Sequence, residues 1–387
     1  MKVTYLDNNA TTCVDPLVLE EMLPYFSERY GNPSSIHTFG GMVGRALASA
    51  RERVAALINA DPTEILFTSC GTESNNTVIF SAANADPAKR HIITSQVEHP
   101  AVLNTVEYLE RKGHPVTWLG VNKQGALNLE ELRNSIRDDT ALVATMHANN
   151  ETGVIFPIEE IAAICAERDV PFFTDAVQST GKLLIDVKKT PVSYLSLSGH
   201  KLHAPKGIGV LYLRRRAFFS MYLHGGHQER GRRAGTENTA SIVGLGKACE
   251  LAAKFMGEEQ TVIRTLRDRL ENGLIAAIPD AVVNGDRLNR LPNTTNISFK
   301  NAEGESILLM LDHLGICASS GSACTSGSLE PSHVLRSMDV PFEYAHGSIR
   351  FSLSRFTMPE DIDLVLEHLP SIIERLRGMS PFGGQGL

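Results

Sequence analysis

Between Glu64 and Leu213 short apolar runs alternate with amphipathic segments, and this alternation limits the possible folds more than any other feature of the chain. EILFTS, HIITS, PVTWLG, ALVATM, PFFTDA, VSYLSLS and GIGVLYL read as strands, several of them bounded by Gly, Asp or Ser turn residues. Between them, PAVLNTVEYLERKG and PIEEIAAICAERD carry apolar residues at helical spacing, each with Pro in a first-turn position. Strands joined by crossover helices predict an α/β fold with a mostly parallel central sheet and helices on both faces.

After about Met256 the pattern changes. A long charged helix (EEQTVIRTLRDRLENGLIAAI), a strand (NTTNISFK), a helix (EGESILLMLDHLG), a strand (SIRFSLS) and a final helix (PEDIDLVLEHLPSIIERLRG) predict a smaller α+β domain. The 387 residues suit two or three packing units. The expected division is a large domain over 15–256 and a small one formed by 1–14 and 257–378. A Gly-rich tail over 379–387 has too little apolar content to dock firmly. There is no internal repeat and no low-complexity tract.

Bulk properties exclude several classes. Hydrophobic residues are 42% and charged residues 21%, ordinary for a globular chain. A net charge of -7 argues against nucleic acid, which demands a clustered cationic face. The run Arg214, Arg215 and Arg216 reads as a solvated strand end. MKVTYLDNNATT contains no apolar signal core, and no stretch approaches the ~20 apolar residues of a membrane span. Cys13, Cys70, Cys165, Cys249, Cys317 and Cys324 are irregularly spaced without a C-x-x-C pair, against a zinc site or a disulfide framework. A reducing cytoplasm is the expected location, no metal is expected, and most thiols are expected to be small buried apolar groups.

Five segments carry chemistry at strand ends. In SLSGHKLHAPKGIG a strand ends in Ser198, His200 and Lys201, and an amine beside hydroxyl and imidazole donors suits a covalent link to a phosphorylated aldehyde cofactor. A surface lysine in a hairpin turn is the plainer reading. In FTDAVQSTG, Asp175 could pair with a protonated pyridine nitrogen and Gln178 with a ring oxygen; taken alone, Asp175 also reads as a helix N-cap. In ILFTSCGTESNN the chain turns through Gly71 into a helix starting near Thr72, a ready phosphate site, or simply a capping box with Glu73 and Ser74 as ordinary first-turn residues. His99 in SQVEHPAVL could lie against an aromatic cofactor and move protons, or be a solvated loop histidine. Asn149 and Asn150 in MHANNETG could bind a carboxylate, or form a turn.

Their placement gives these segments joint force. Ligands of doubly wound sheets collect outside the carboxyl ends of the strands, and Thr72, His99, Asn150, Asp175 and Lys201 each follow an apolar strand. One rim then holds all five. Separately, Cys324 sits in ASSGSACTSGSLEPSHVLRSM among Ser, Ala and Gly residues that cannot bury it, so it reads either as an accidental surface thiol or as a nucleophile on a mobile exposed loop.

YLDNNATT, GNPSS, the Thr72 turn, VEHPAVL, NNETG, DAVQ, SGHK with PKG, GGHQERGRRAGTEN, SSGSACTSGSLEPSHV and SIRFSLSRFT together resemble cysteine desulfurases of the class V aminotransferase family. The match runs to about Arg377 and looks closer to the nitrogen-fixation (NifS) type than to the housekeeping type. The resemblance implies an aspartate-aminotransferase-like (type I) fold, pyridoxal 5'-phosphate as cofactor, and a homodimer. It implies that Lys201 carries the cofactor, Asp175 holds its pyridine nitrogen, Gln178 bonds the ring oxygen and His99 stacks on the ring. Thr72, Ser198 and His200, beside Gly71, would bind the phosphate, and Thr236 would reach the phosphate of the partner subunit. Arg350, helped by Asn150, would fix the substrate carboxylate.

The same resemblance implies conversion of L-cysteine to L-alanine with Cys324 taking the sulfur as a persulfide, His99 moving protons, and an iron-sulfur scaffold protein receiving the sulfur, in nitrogenase maturation or general cluster assembly. Ala204 and Cys13 depart from the usual pattern without removing a functional group. The loop from Thr325 to His333 is the long form, and at ~3.3 to 3.6 Å per extended residue half of it spans on the order of 15 Å. Alternatives are a selenocysteine lyase or another C-S lyase on the same cofactor, and a non-catalytic sulfur carrier. A nicotinamide-dependent dehydrogenase lacks support, because no G-x-G-x-x-G follows the early strands.

Overall fold

The computed structural model describes residues 3–320 and 331–379, so Cys324 and the tail beyond residue 379 lie outside the described residues. A two-residue strand β1 (Thr4–Tyr5) opens the chain. It is followed by β2 (Ile65–Thr68), β3 (His91–Ser95), β4 (Val116–Leu119), β5 (Thr140–Met146), β6 (Phe172–Asp175), β7 (Tyr194–Ser198) and β8 (Gly209–Leu213). Each of these seven falls on an apolar run expected as a strand, with β5 beginning one residue earlier, at Thr140. They form one sheet in the order β2-β8-β7-β6-β5-β3-β4. The pairs among β3 to β7 are parallel, whereas β8 is antiparallel to both β7 and β2. Two reversals restore direction, so β2 points the same way as β7. The carboxyl ends of β2, β3, β5, β6 and β7 therefore share one edge.

The apolar runs are continuous because both sheet faces are covered. Neighbouring side chains of a strand point to opposite faces, and Ile92 and Ile93, like Phe173 and Phe172, belong to different cores. Helices Gly71–Ala83 and Pro100–Arg111 supply Val78, Ile79, Val102 and Val106 to one face. Helices Thr38–Leu57, Ile158–Glu167 and Thr239–Glu258 cover the other with Val54, Ile161 and Leu245.

The second half adds β9 (Ala281–Val283), β10 (Thr294–Phe299), β11 (Ile316–Cys317) and β12 (Ser348–Ser352). An antiparallel sheet of order β12-β10-β9 stands apart from a parallel β1-β11 pair. Ile297, Phe299, Ile349 and Phe351 pack there against Leu270, Ile307, Leu311, Val365 and Leu369 from three helices. The chain between β1 and the first helices thus starts at the smaller sheets and leads toward the rim of the larger one.

Three expectations need correction. The charged helix does not begin near Met256: helical backbone runs over Thr239–Glu258, through a π-helical turn at Glu259–Ile263, and on over Arg264–Ala277. Composition changes at that point because burial changes, while nothing interrupts the backbone. Arg214 is not solvated, since its guanidinium donates to the carbonyls of Val187, Thr190 and Val192. Of the described thiols, Cys165 and Cys249 are buried, Cys70 and Cys317 half-buried, and Cys13 exposed.

The segment from His227 to Thr236 is anchored on β2. Buried Glu229 accepts two bonds from Arg51, at 2.9 and 2.5 Å, and the Phe67 N–H at 2.9 Å. It does so with φ of 46°, followed by Arg230 at 62°, conformations that non-glycine residues adopt at a cost. Removing one partner of a buried pair strands the other. Glu229→Ala should lower unfolding free energy by about 3 kcal/mol, read by urea denaturation of the full chain; a loss under about 0.5 kcal/mol would mean that Arg51 finds water instead.

Candidate active site

At the shared strand edge lies a cavity of about 540 Å³. Gly71, Thr72, His99, Asn150, Asp175, Gln178, Ser198, His200, Lys201 and Arg350 all line it. Residues as far apart in sequence as 71 and 350 meet because β12, of the smaller sheet, brings Arg350 to the rim at which the strands of the larger sheet end. Thr236 does not join them; it is exposed and absent from the cavity wall.

Lys201 sits in a 3-10 turn directly after β7. Its Nζ donates to the carbonyls of Asn9 and Ala10, the latter at 2.6 Å. Burial, reinforced by Arg350 and Lys182 and opposed by Asp7 and Asp175, lowers its pKa from 10.5 to about 7. A neutral amine can satisfy both carbonyls and still keep a lone pair for chemistry. Lys201 is therefore set up as a nucleophile and base near neutral pH.

Asp175 ends β6, and its carboxylate accepts from Val177 N at 3.0 Å and from Asn75 Nδ2 at 2.7 Å. It caps no helix; the Asn75 bond aims it from beneath the cavity. Gly71 opens a helix against this floor, where a Cβ would come within 2.9 Å of Val177 Cγ2. Only glycine lets the helix start so close, and its free N–H groups face an anion site. Cys70, the N-cap, makes no side-chain capping bond. Glu73 instead takes the Ser69 N–H and pairs with Arg233, so the capping-box reading fails here.

His200 Nδ1 lies 3.2 Å from Thr11 Oγ1, and burial with Lys201 and Lys206 nearby lowers its pKa to about 4. His99 is the N-cap of the helix Pro100–Arg111, and burial holds its pKa below 6.5 against the pull of Asp175. Arg350, on β12, donates through Nη2 to Asp7 at 2.6 Å and through Nη1 to the backbone carbonyl of Asn150 at 3.0 Å. Asn150 thus holds Arg350 by its main chain. Asn149 shapes the turn beneath, with its Oδ1 accepting from Glu151 N and Thr152 N.

Asp7, Asn9, Asn75, Glu98, Glu151 and His333 were not singled out from the sequence. Asn75 could have been found, since it lies one helical turn from Thr72. Asp7 and Asn9 sit in YLDNNATT, but nothing local tells that this segment crosses to the rim.

Buried polar atoms without partners test what the cavity holds. Ser198 Oγ, Gln178 Oε1, Asn75 Oδ1 and Arg350 Nε are all buried and unpaired, and all four residues line it. Such orphans are costly unless a polar ligand meets them. An amine, an anion-binding helix start with hydroxyls, a carboxylate on the floor and a guanidinium fit a phosphorylated aldehyde cofactor with an amino acid beside it. Among the described residues there is no His/Cys/Asp/Glu group able to hold a metal, and no helix long and apolar enough to cross a membrane.

The family description "Aminotransferase class-V" matches residues 4–365. The cysteine desulfurase of Nostoc sp. (strain PCC 7120) is 60% identical over 382 residues, 99% of this chain and 96% of the relative. The chain belongs to the class-V aminotransferases, among the cysteine desulfurases. The cysteine desulfurase NifS of Azotobacter vinelandii is 57% identical over 383 residues, covering 99% of this chain and 95% of the relative. A solved structure titled NifS-like protein superposes with a TM-score of 0.92 at 39% identity, covering 97% of this chain and all of that one. The family is one of pyridoxal-phosphate enzymes, with the α/β fold described above.

The low pKa of Lys201 has a direct consequence. Trace acylation of the cofactor-free protein with acetic anhydride, followed by peptide mass spectrometry, should label Lys201 ahead of exposed lysines at pH 7.5, with half-maximal reactivity near pH 7. A labelling midpoint near 10 would show the amine to be hydrated.

Proposed function

We propose that this chain converts L-cysteine to L-alanine and passes the sulfur to Cys324 as a persulfide, with pyridoxal 5'-phosphate held on Lys201. The observation that carries this reading is the buried amine with its lowered pKa, set opposite Asp175 and beside unpaired Ser198 Oγ and Arg350 Nε. Thr72, Ser198, His200 and the helix start at Gly71 would hold the phosphate; Asp175 would hold the pyridine nitrogen, Gln178 the ring oxygen, and His99 a ring face. Thr236, exposed on the anchored 227–236 segment, would serve the cofactor phosphate of a partner subunit in a homodimer. When bound, the cofactor supplies an electron sink for charge at the substrate α-carbon.

The residues of the chain do the rest. Arg350 orients the substrate carboxylate, its fork kept in place by Asp7 and the Asn150 carbonyl. Lys201 takes the α-proton at Nζ, whose pKa burial lowers to about 7, so that a large share of the amine is neutral near that pH. The accepting thiol gains one sulfur and the substrate leaves as alanine, so cysteine plus thiol gives alanine plus persulfide without an outside reductant. An iron-sulfur scaffold protein would receive the sulfur. The similarity to NifS of Azotobacter vinelandii supports nitrogenase maturation as the destination, in the cytoplasm.

Absorbance and alanine release test the reading together. Lys201→Ala should lose the yellow absorbance and all turnover. Cys324→Ala should keep the colour yet release no sulfide from L-cysteine in the presence of a reducing thiol. A colourless Cys324→Ala protein, or one that turns over at the parent rate, would sink the assignment of that residue.

A further inference from the structure

Three imidazoles line the cavity, and backbone hydrogen bonds give two of them, His99 and His333, opposite tautomers. His99 Nδ1 accepts the Ala101 N–H at 3.1 Å. A nitrogen that accepts carries a lone pair, so the neutral ring keeps its proton on Nε2. Becoming a cation would require Nδ1 to donate toward an N–H that can only donate, at a helix start whose dipole disfavours positive charge. His99 is therefore held neutral, able to offer an N–H and poorly able to accept a proton.

His333 is the reverse case. Its Nε2 lies 3.0 Å from the carbonyl oxygen of Glu98. A carbonyl only accepts, so Nε2 carries the proton and Nδ1 has the lone pair. The ring is fixed at both ends of its backbone. Ser332 caps the helix His333–Ser337 by accepting from Val334 N at 3.0 Å, and donates to the buried carboxyl of Glu151. The groups around the ring are Arg336 on its own helix, Glu98 and His99 from the turn after β3, and Glu151 from the turn after β5.

We propose that His333 is a catalytic base in sulfur transfer, taking the substrate's sulfur-bound proton at Nδ1 while His99 stays neutral and serves as a hydrogen-bond donor. The inference rests on the function proposed above and names a residue for a step which that reading leaves open. As the accepting thiolate forms its bond to the substrate sulfur, the C–S electron pair goes to carbon and the S–H pair stays on sulfur. The proton passes to Nδ1, the persulfide leaves as its anion, and the carbon takes a proton from solvent. Nothing beyond the established reactants is oxidised or reduced. Burial and Arg336 lower the pKa of His333 below 6.5. The base is thus fully available at neutral pH and lost as pH falls through that lowered value.

The test compares holoenzymes. In His333→Gln, kcat/KM for L-cysteine should fall about 100-fold and the acid limb of its pH profile, steep while Lys201 and His333 both titrate, should become shallower, in line with loss of a general base. Exchange of the α-proton of L-alanine with deuterated water, which involves no thiol, should stay within about twofold of the parent. Yellow absorbance and melting temperature report whether the variant is folded. Should His333→Gln fail to fold, His333→Ala with added imidazole is the second arm, with recovery of turnover expected. A His333→Gln rate within threefold of the parent, or an acid limb that keeps its steepness there and becomes shallower in His99→Gln, overturns the proposal, as does failure of imidazole to restore a folded His333→Ala protein. A parent protein that makes neither colour nor alanine would instead overturn the function itself.

Discussion

Desolvation of one amine organises the site. Lys201 is kept from water by the main chain of Asn9 and Ala10, which come from near the start of the sequence and supply the carbonyls that its nitrogen needs. Its lowered proton affinity depends on that enclosure, with Arg350 and Lys182 adding to it. The same N-terminal segment reaches Arg350 through Asp7 and Gln178 through the carbonyl of Asn9. One crossing segment thus couples the amine, the guanidinium and an amide that no local pattern joins. The smaller sheets fix where this segment begins, through the β1-β11 pair and the Asp7 to Ser352 bridge.

The legible part of the fold was the part with a period. A strand buried on both faces writes a continuous apolar run, and Ile92 with Ile93 or Phe172 with Phe173 can be read in no other way once helices follow. The rim followed from those strands, so Thr72, His99, Asn150, Asp175 and Lys201 were legible as one group before any contact was seen. Contacts between distant segments left no such trace. Asp7 and Arg350 are 343 positions apart, and neither residue announces the other. The helix boundary near Met256 was misplaced because charge content reports exposure, whereas helical backbone continues wherever no residue forbids it. Arg214 misled for a related reason: a guanidinium can be spent on carbonyls as readily as on water. Cys324, the residue most dependent on the resemblance, lies outside the described residues.

Two further acids decide what charge the cavity presents. Glu98 and Glu151 are buried, and burial raises their pKa values to about 8 and about 7 despite hydrogen bonds from Ser95, Met146 N and Ser332. Were both ionised alongside Asp7 and Asp175, an incoming amino-acid carboxylate would meet an excess of like charge, and Arg350 would have several competing partners. Holding Glu98 neutral, and Glu151 partly so, leaves Arg350 with Asp7 as its carboxylate partner among the described residues and frees Nε for the substrate.

The same two acids have a mechanical role. Glu98 follows β3 and lends its carbonyl to His333, while Glu151 follows β5 and takes the hydroxyl of Ser332. The start of one short helix is thereby tied to two parallel strands at the rim. For Glu98 the contact is the main-chain carbonyl, with its carboxyl anchored by Ser95 Oγ and Met146 N, while for Glu151 the carboxyl itself is the contact. The tie sets the ring of His333 in register with that of His99, and their complementary protonation follows from main-chain geometry, not from the composition of either segment.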